Sequence, residues 1–244
     1  MTAPTALDVA VNVAAVRARI AEACARAGRD PASVTLVAVS KGHSLDLVRA
    51  AVEAGCLDLG ENRAQELLPK AVEAVSTELT PAPRWPQLRW HFIGHLQRNK
   101  VREVLPHIAA LHSLDSVDLL RELERRAGSL GAGAPLPRYP LPCYLEVNVG
   151  GEAQKQGVTP EALPELLRAA QACGAVGVRG LMTVAPHLGD PEQVRPVFRA
   201  LRALAQAHGL DGLSMGMTED YPVAIEEGAT VVRVGRAIFG ARPE

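Results

Sequence analysis

The sequence predicts an α/β fold: a single (β/α)8 barrel of the TIM type with an extra helix at its N-terminus. Two observations carry that prediction. Short apolar runs rich in Val and Leu alternate eight times with segments of helical periodicity, and they do so within 244 residues. Repeated βα units require parallel strands with right-handed crossovers, and eight of them in roughly this length close into a barrel. A doubly wound open sheet is the alternative, because the second, fourth and seventh runs are short. One domain is expected over residues 1–244, with the helix of residues 1–30 packed on the barrel.

From Thr5 to about Arg26, residues Leu7, Ala10, Val11, Ala14, Val16 and Ile20 recur at helical spacing, and Gly28 ends the helix. Val34 to Val39 is the first strand. Ser44 caps a helix over Leu45, Val48, Ala51 and Val52 that stops near Gly55. Leu57 to Leu59 is the second strand, followed by a helix carrying Leu67, Leu68, Ala71 and Val75. Pro81, Pro83 and Pro86 mark a surface loop before the third strand, Leu88 to Ile93.

A basic helix through Asn99, Val101, Val104 and Leu105 leads to a fourth strand, Ile108 to Leu111. Asp115 or Ser116 caps the next helix, over Val117, Leu119, Leu120 and Leu123. The Gly- and Pro-rich stretch from Ser129 to Pro142 reads as a long loop, since it runs straight into the fifth strand, Cys143 to Val149. A helix from Pro160, a strand from Val176 to Met182, a helix from Pro191, a strand from Leu210 to Leu213, a helix from Thr218 and a strand from Thr230 to Val234 complete the pattern.

Composition narrows the function. A net charge of -1 gives no electrostatic case for nucleic acid or a membrane surface, and 3% aromatic content offers no base-stacking platform. Cys24, Cys56, Cys143 and Cys173 form no Cys-x-x-Cys pair and read as reduced core residues. With no signal-like start and no apolar run of spanning length, the cytoplasm is the expected location.

Lys41 stands where the first strand stops and the turn Ser40-Lys41-Gly42-His43-Ser44 begins. The carboxyl ends of barrel strands are where ligands bind, and a lysine held there against apolar walls can lose its proton and attack a carbonyl. Barrel closure makes the eighth strand a neighbour of the first. The loops after strands seven and eight, which often hold phosphate, then lie beside Lys41. Ser214 offers a hydroxyl there, and the amides of Gly235 and Arg236 can point at an anion.

Neighbouring strands are about 4.8 Å apart, so Lys41 and those loops are separated by a gap on the order of 10 Å. A ligand with an aldehyde at one end and a phosphate at the other fits that layout, and pyridoxal phosphate is the obvious candidate. Arg233 would face its ring. A cation beside the pyridine nitrogen disfavours ring protonation, which weakens the electron sink and argues against aminotransferase-like chemistry.

The segments Leu36-Val37-Ala38-Val39-Ser40-Lys41, Leu59-Gly60-Glu61-Asn62, Trp90 to Lys100, Ser214-Met215-Gly216-Met217 and Val232 to Gly240 together resemble the pyridoxal-phosphate homeostasis protein family over nearly the whole chain. The resemblance implies a barrel related to the N-terminal domain of alanine racemase, with Lys41 as the Schiff-base lysine and Arg233 facing the pyridine nitrogen. It also implies Ser214, Gly235 and Arg236 at phosphate-binding positions and Asn62 in a motif lining the pocket. Two positions depart from the family pattern. Gly42-His43 stands where Thr and a basic residue or His are common, and Arg236 where many relatives carry Thr or Ser.

Other signals carry less. His91 and His95 have a metal-like spacing but straddle a strand end; Arg98, Lys100 and Arg102 read as a solvated helix face; Gly150-Gly151 reads as a plain turn. Cys56 and Cys173 read as packing residues, and Glu219 and Asp220 as complements to a helix dipole. The function expected is a monomeric, non-catalytic carrier that holds pyridoxal phosphate reversibly on Lys41, with cofactor-dependent apo-enzymes as recipients. The alternatives are an alanine racemase-type enzyme and a Schiff-base aldolase. A racemase needs a second acid/base group from a further β domain, and the sequence stops at Glu244, just after the eighth strand.

Overall fold

The computed structural model describes residues 5–75, 87–128, 139–152 and 154–242. Eight parallel strands close into a barrel in chain order: β1 (Thr35–Val39), β2 (Asp58–Glu61), β3 (Arg89–Phe92), β4 (Ala110–Leu114), β5 (Leu141–Glu146), β6 (Val176–Met182), β7 (Gly212–Ser214) and β8 (Val231–Val234). The helices are α1 (Ala6–Arg26), α2 (Leu45–Glu53), α3 (Ala64–Val75), α4 (Val101–Val104), α5 (Val117–Ala127), α6 (Leu163–Ala172), α7 (Arg195–Ala207), α8 (Tyr221–Glu226) and α9 (Arg236–Phe239). The seam is β1 on β8, where Thr35 pairs with Val231, Val37 with Arg233 and Ala38 with Val234. That seam rules out the open sheet.

Several elements sit differently from the sequence expectation. β5 begins two residues earlier than Cys143 and ends at Glu146, because Asn148 closes a turn by donating from Nδ2 to the Glu152 carbonyl (2.8 Å). β7 starts at Gly212, since Leu210 is held in the turn after α7 by its amide bond to the Ala205 carbonyl (2.9 Å). β4 starts at Ala110, and the basic helix before it is one α turn flanked by two 3-10 turns, the second containing Pro106. Pro81, Pro83 and Pro86 and residues 129–138 of the Gly- and Pro-rich stretch lie outside the described residues.

The N-terminal helix buries Val16 and Ile20 as its periodicity suggested, but its first turns are rotated so that Val9 and Val13 face inward in place of Leu7 and Val11. Val9, Val13, Val16, Ile20, Ala23 and Cys24 are buried, while Leu7 and Val11 are 74% and 60% exposed. Polar anchors fix the rotation of α1. Asn12 donates to the Ile238 carbonyl of α9 (3.0 Å), and Arg17 donates to the Ala54 and Gly55 carbonyls beyond α2 (3.0 and 2.8 Å). A buried stripe is set by the neighbours a helix meets, and α1 meets α2, α8 and α9.

Inside the strands, side-chain alternation separates two environments. Trp90 and Phe92, Leu213 and Met215, and Val232 and Val234 join the apolar core between sheet and helices, as does Leu111. The intervening His91, Ser214 and Arg233, and His112 after Leu111, point into the barrel, where all four are buried. The interior of this barrel is therefore polar along one column.

At the β6–β7 seam Gly180 pairs with Gly212, and a Cβ on either would run into the facing backbone. Backbone cannot give way as a flexible side chain does, so Gly180→Ala and Gly212→Ala are each expected to destabilise the fold by roughly 2 to 3 kcal/mol or more, read as a lower midpoint in urea unfolding.

Candidate functional site

A cavity of about 320 Å³ opens at the carboxyl ends of the strands, and Lys41, His43, Arg233, Gly235, Arg236 and Arg242 lie in its wall. Pro186, His187 and the Met217–Asp220 loop close the other side. Four residues named from sequence, Lys41, Arg233, Gly235 and Arg236, thus come together in one wall. The seam explains why: β8 in register with β1 brings the loop after β8 alongside the turn that carries Lys41.

That turn is firmly anchored. Ser40 is fully buried and donates to Glu61 Oε1 (2.7 Å), while Lys70 Nζ donates to the same oxygen (2.6 Å) and to the Ser40 carbonyl (2.8 Å). Gly42 adopts φ +75, a left-handed conformation that glycine takes without strain, and its amide donates to the Glu66 carboxylate. A Cβ there would press on the side chain of Arg242. Gly42 therefore leaves room for a cation beside Lys41. His43 stacks on Phe239 of α9 with ring centroids 5.3 Å apart.

Lys41 is half-buried, and its pKa is lowered by burial first and by the Arg242 charge second, with Glu66 and Glu61 opposing. A lowered pKa makes the neutral, nucleophilic amine available at lower pH. Arg233 is more deeply held. Its Nη1 donates to Ser214 Oγ (2.6 Å) and its Nη2 to the Thr183 carbonyl (2.9 Å), and burial brings its pKa down to about 10 against the attraction of Glu146 and Asp220.

Ser214 and Asn62 stand apart from this wall. The Ser214 hydroxyl is fully buried inside the barrel, engaged by Arg233 and by His112 Nδ1 (2.7 Å). Asn62 follows β2 and lines a neighbouring cleft with Arg63, Gln65 and His95, and its Oδ1 is buried without a partner among the described residues. Arg236 reaches outward to Glu219 (2.8 Å) in an exposed ion pair, while its backbone sits at the first position of α9 behind Gly235.

The side chains set aside from sequence are accounted for. His91 bonds to Asp58 and His112, and His95 to Asp115 (3.1 Å), so they point to different places. No metal-holding group of His, Cys, Asp and Glu occurs among the described residues. Arg98 and Lys100 make surface ion pairs with Asp118 and Glu103. All four cysteines are free and buried. Asp220 takes the Met217 amide on Oδ1 (2.6 Å) instead of capping α8. No helix among the described residues is long and apolar enough to cross a membrane.

His112, Glu146 and Arg242 carry weight in or behind the site, and sequence reading passed over them. Leu111-His112-Ser113-Leu114 shows a polar residue beside apolar ones in a strand, a usable signal for an inward side chain. Glu146, at the end of β5, is raised to about 7 by burial, with Asp115 adding and Arg233 opposing.

Two expectations follow. Glu146 has a folded pKa above its unfolded value, so its burial cost is absent below about pH 4.5 and complete above about pH 7. Glu146→Gln should raise the unfolding free energy at pH 8 by about 3 kcal/mol and leave it nearly unchanged at pH 4, measured by urea melts at both values. Arg242 is exposed, so Arg242→Ala should preserve the fold while raising the Lys41 pKa. Reductive methylation of Lys41, followed by peptide mapping across pH, should then need a higher pH in the variant.

Comparison with known proteins agrees with this geometry. A family model described as alanine racemase, N-terminal domain, matches residues 11–243. A pyridoxal phosphate homeostasis protein of Pseudomonas aeruginosa is 44% identical over 236 residues, covering 96% of each chain, and one of Aquifex aeolicus is 40% identical, covering 97% of this chain and 99% of its own. Among solved structures, PipY of Synechococcus elongatus with pyridoxal phosphate bound superposes with a TM-score of 0.76 at 34% identity, covering 95% of this chain and all of its own. Alanine racemase of Corynebacterium glutamicum shares the fold, with a TM-score of 0.65 at 15% identity and coverage of 98% of this chain and 62% of its own. The chain belongs to the pyridoxal phosphate homeostasis protein family, built on the barrel of the alanine racemase N-terminal domain.

Proposed function

We propose that this protein binds pyridoxal phosphate in the cavity beside Lys41 and holds it reversibly, as a carrier or regulator of the free cofactor in the cytoplasm. The observation that carries the reading is the pairing, in one wall, of a half-buried lysine of lowered pKa with a buried arginine held by Ser214 and Thr183. The donor set suits the cofactor. Arg233 spends two of its five N–H groups on the protein and keeps the rest for a ring nitrogen, and the amides of Gly235 and Arg236 precede the first intrahelical bonds of α9. The volume is within the range of small-molecule sites.

When bound, the cofactor's aldehyde condenses with a neutral lysine amine and releases water, a step that hydrolysis reverses. Lys41 supplies that amine. Arg233 orients the ring and, being a cation, keeps a proton off its nitrogen. Gly235 and Arg236 hold the phosphate, and Ser214 acts from behind through Arg233. A holding role is supported by the cavity's carboxylates, both already committed: Asp220 to the Met217 amide and Glu219 to Arg236. The homeostasis name borne by the relatives supports it as well.

The purified protein should be yellow, or become so on incubation with pyridoxal phosphate. Borohydride should then fix the cofactor to the peptide containing Lys41, and Lys41→Ala should lose the colour while keeping cooperative unfolding. A colourless protein that cannot be loaded refutes the reading. Transfer of labelled cofactor to an apo-enzyme, faster than release into buffer, tests the carrier role; interconversion of L- and D-alanine at ordinary enzyme rates overturns it in favour of a racemase.

A further inference from the structure

Behind Arg233 lies a row of buried side chains whose hydrogen bonds run in one direction, as donor and acceptor counting shows. Arginine only donates, so Ser214 Oγ accepts from Arg233 Nη1 and its single proton is left for His112 Nδ1 at 2.7 Å. His112 is fully buried, and that burial pushes its pKa well down, so the ring is neutral. With Nδ1 accepting, its proton is on Nε2 and goes to His91 Nδ1 at 2.9 Å. His91 then carries its proton on Nε2 and donates to Asp58 Oδ1 at 2.9 Å.

Asp58 at the opposite end of the barrel is ionised. Burial works against that, but bonds from His91 and the two-pronged contact of Arg89 (2.6 Å each) bring its pKa to about 2. In the reverse order His112 Nδ1 would donate to Ser214 Oγ as Arg233 already does, and the hydroxyl proton would be left without an acceptor among the described residues. The row therefore has one stable sense, from Arg233 to Asp58. His112 is clamped in it by a stacked Tyr144 ring, with centroids 4.6 Å apart.

We propose that Ser214, His112, His91 and Asp58 are positioning residues for Arg233, with His112 as the one that fixes the Ser214 hydroxyl so that its lone pairs face the guanidinium. With the hydroxyl rotor locked and the Thr183 carbonyl on the other nitrogen, the guanidinium plane is set and its unused N–H groups are aimed at the cavity. The consequence for the cofactor rests on the function proposed above; the row itself does not.

Nitrogen-15 NMR of the histidine rings in the ligand-free protein tests the row directly. His91 and His112 are both expected as neutral rings protonated on Nε2, and His112 found protonated on Nδ1 overturns the proposal. The second measurement uses protein loaded with pyridoxal phosphate. His112→Phe should shift the visible absorption band of the bound cofactor and weaken its retention about fivefold, the size of one ordinary hydrogen bond. His112→Asn, whose side-chain oxygen replaces Nδ1 as acceptor, should bring both back towards the wild type. Identical bands and retention in the wild type and both variants overturn the positioning role. Wild-type protein that takes up no pyridoxal phosphate refutes the proposed function, and the ring tautomers then decide the row alone.

Discussion

A guanidinium cannot be buried inside a barrel unless its N–H groups find partners, and the placement of Arg233 makes that requirement for the whole interior. Val232 and Val234 face the helices, so Arg233 between them faces inward. β7 answers with the Ser214 hydroxyl and the end of β6 with the Thr183 carbonyl. Each answer creates a further demand, since the Ser214 proton needs an acceptor and the histidine that provides it needs one in turn. The demand ends only at a fixed negative charge, Asp58, which Arg89 holds ionised at the other end of the barrel. Four of the eight strands therefore give up apolar interior positions, at β2, β3, β4 and β7, on account of one residue of β8.

The architecture was legible because βα alternation is a long-range pattern that survives local error. Individual bounds were less so. Parallel strands buried on both faces read as continuous apolar runs without an internal marker of where pairing starts. Turn bonds decide that, such as the one from the Leu210 amide to the Ala205 carbonyl, and they leave no trace in hydropathy. The N-terminal helix shows the same limit. With Leu7, Val9, Val11 and Val13 in succession, apolar residues occupy several faces, and the choice among them lies with Asn12 and Arg17 and the carbonyls they reach.

The site divides in a similar way. Lys41, Arg233, Gly235 and Arg236 could be placed beside one another because barrel closure is a topological fact, independent of side-chain detail. Asn62 came only through resemblance, and the structure sets it in a neighbouring cleft. Ser214 was found for its hydroxyl, but whether that hydroxyl faces a phosphate or the barrel interior depends on the parity of a three-residue strand. His112 and Arg242 escaped for opposite reasons. The first is hidden in an unremarkable buried strand, and the second is an exposed arginine far along the chain whose only announcement is the absence of a Cβ at Gly42.

That absence bears on what the site can do. Position 42 takes a left-handed backbone and touches Arg242, so glycine here serves both the turn and the approach of a second cation. Arg242 and burial lower the Lys41 pKa while Glu61 and Glu66 oppose them, and Glu61 is itself shared by Ser40 and Lys70. The amine thus feels two carboxylates that favour its charged form, against burial and the guanidinium groups of Arg242 and Arg233, which disfavour it. A lysine of lowered pKa has more of the neutral amine that can attack an aldehyde. Catalysis on a bound amino acid asks for more, a mobile proton donor or acceptor facing the lysine. Of the titratable groups lining the cavity, Asp220 accepts from the Met217 amide, Glu219 pairs with Arg236, His43 stacks on Phe239 and His187 stands on the opposite side.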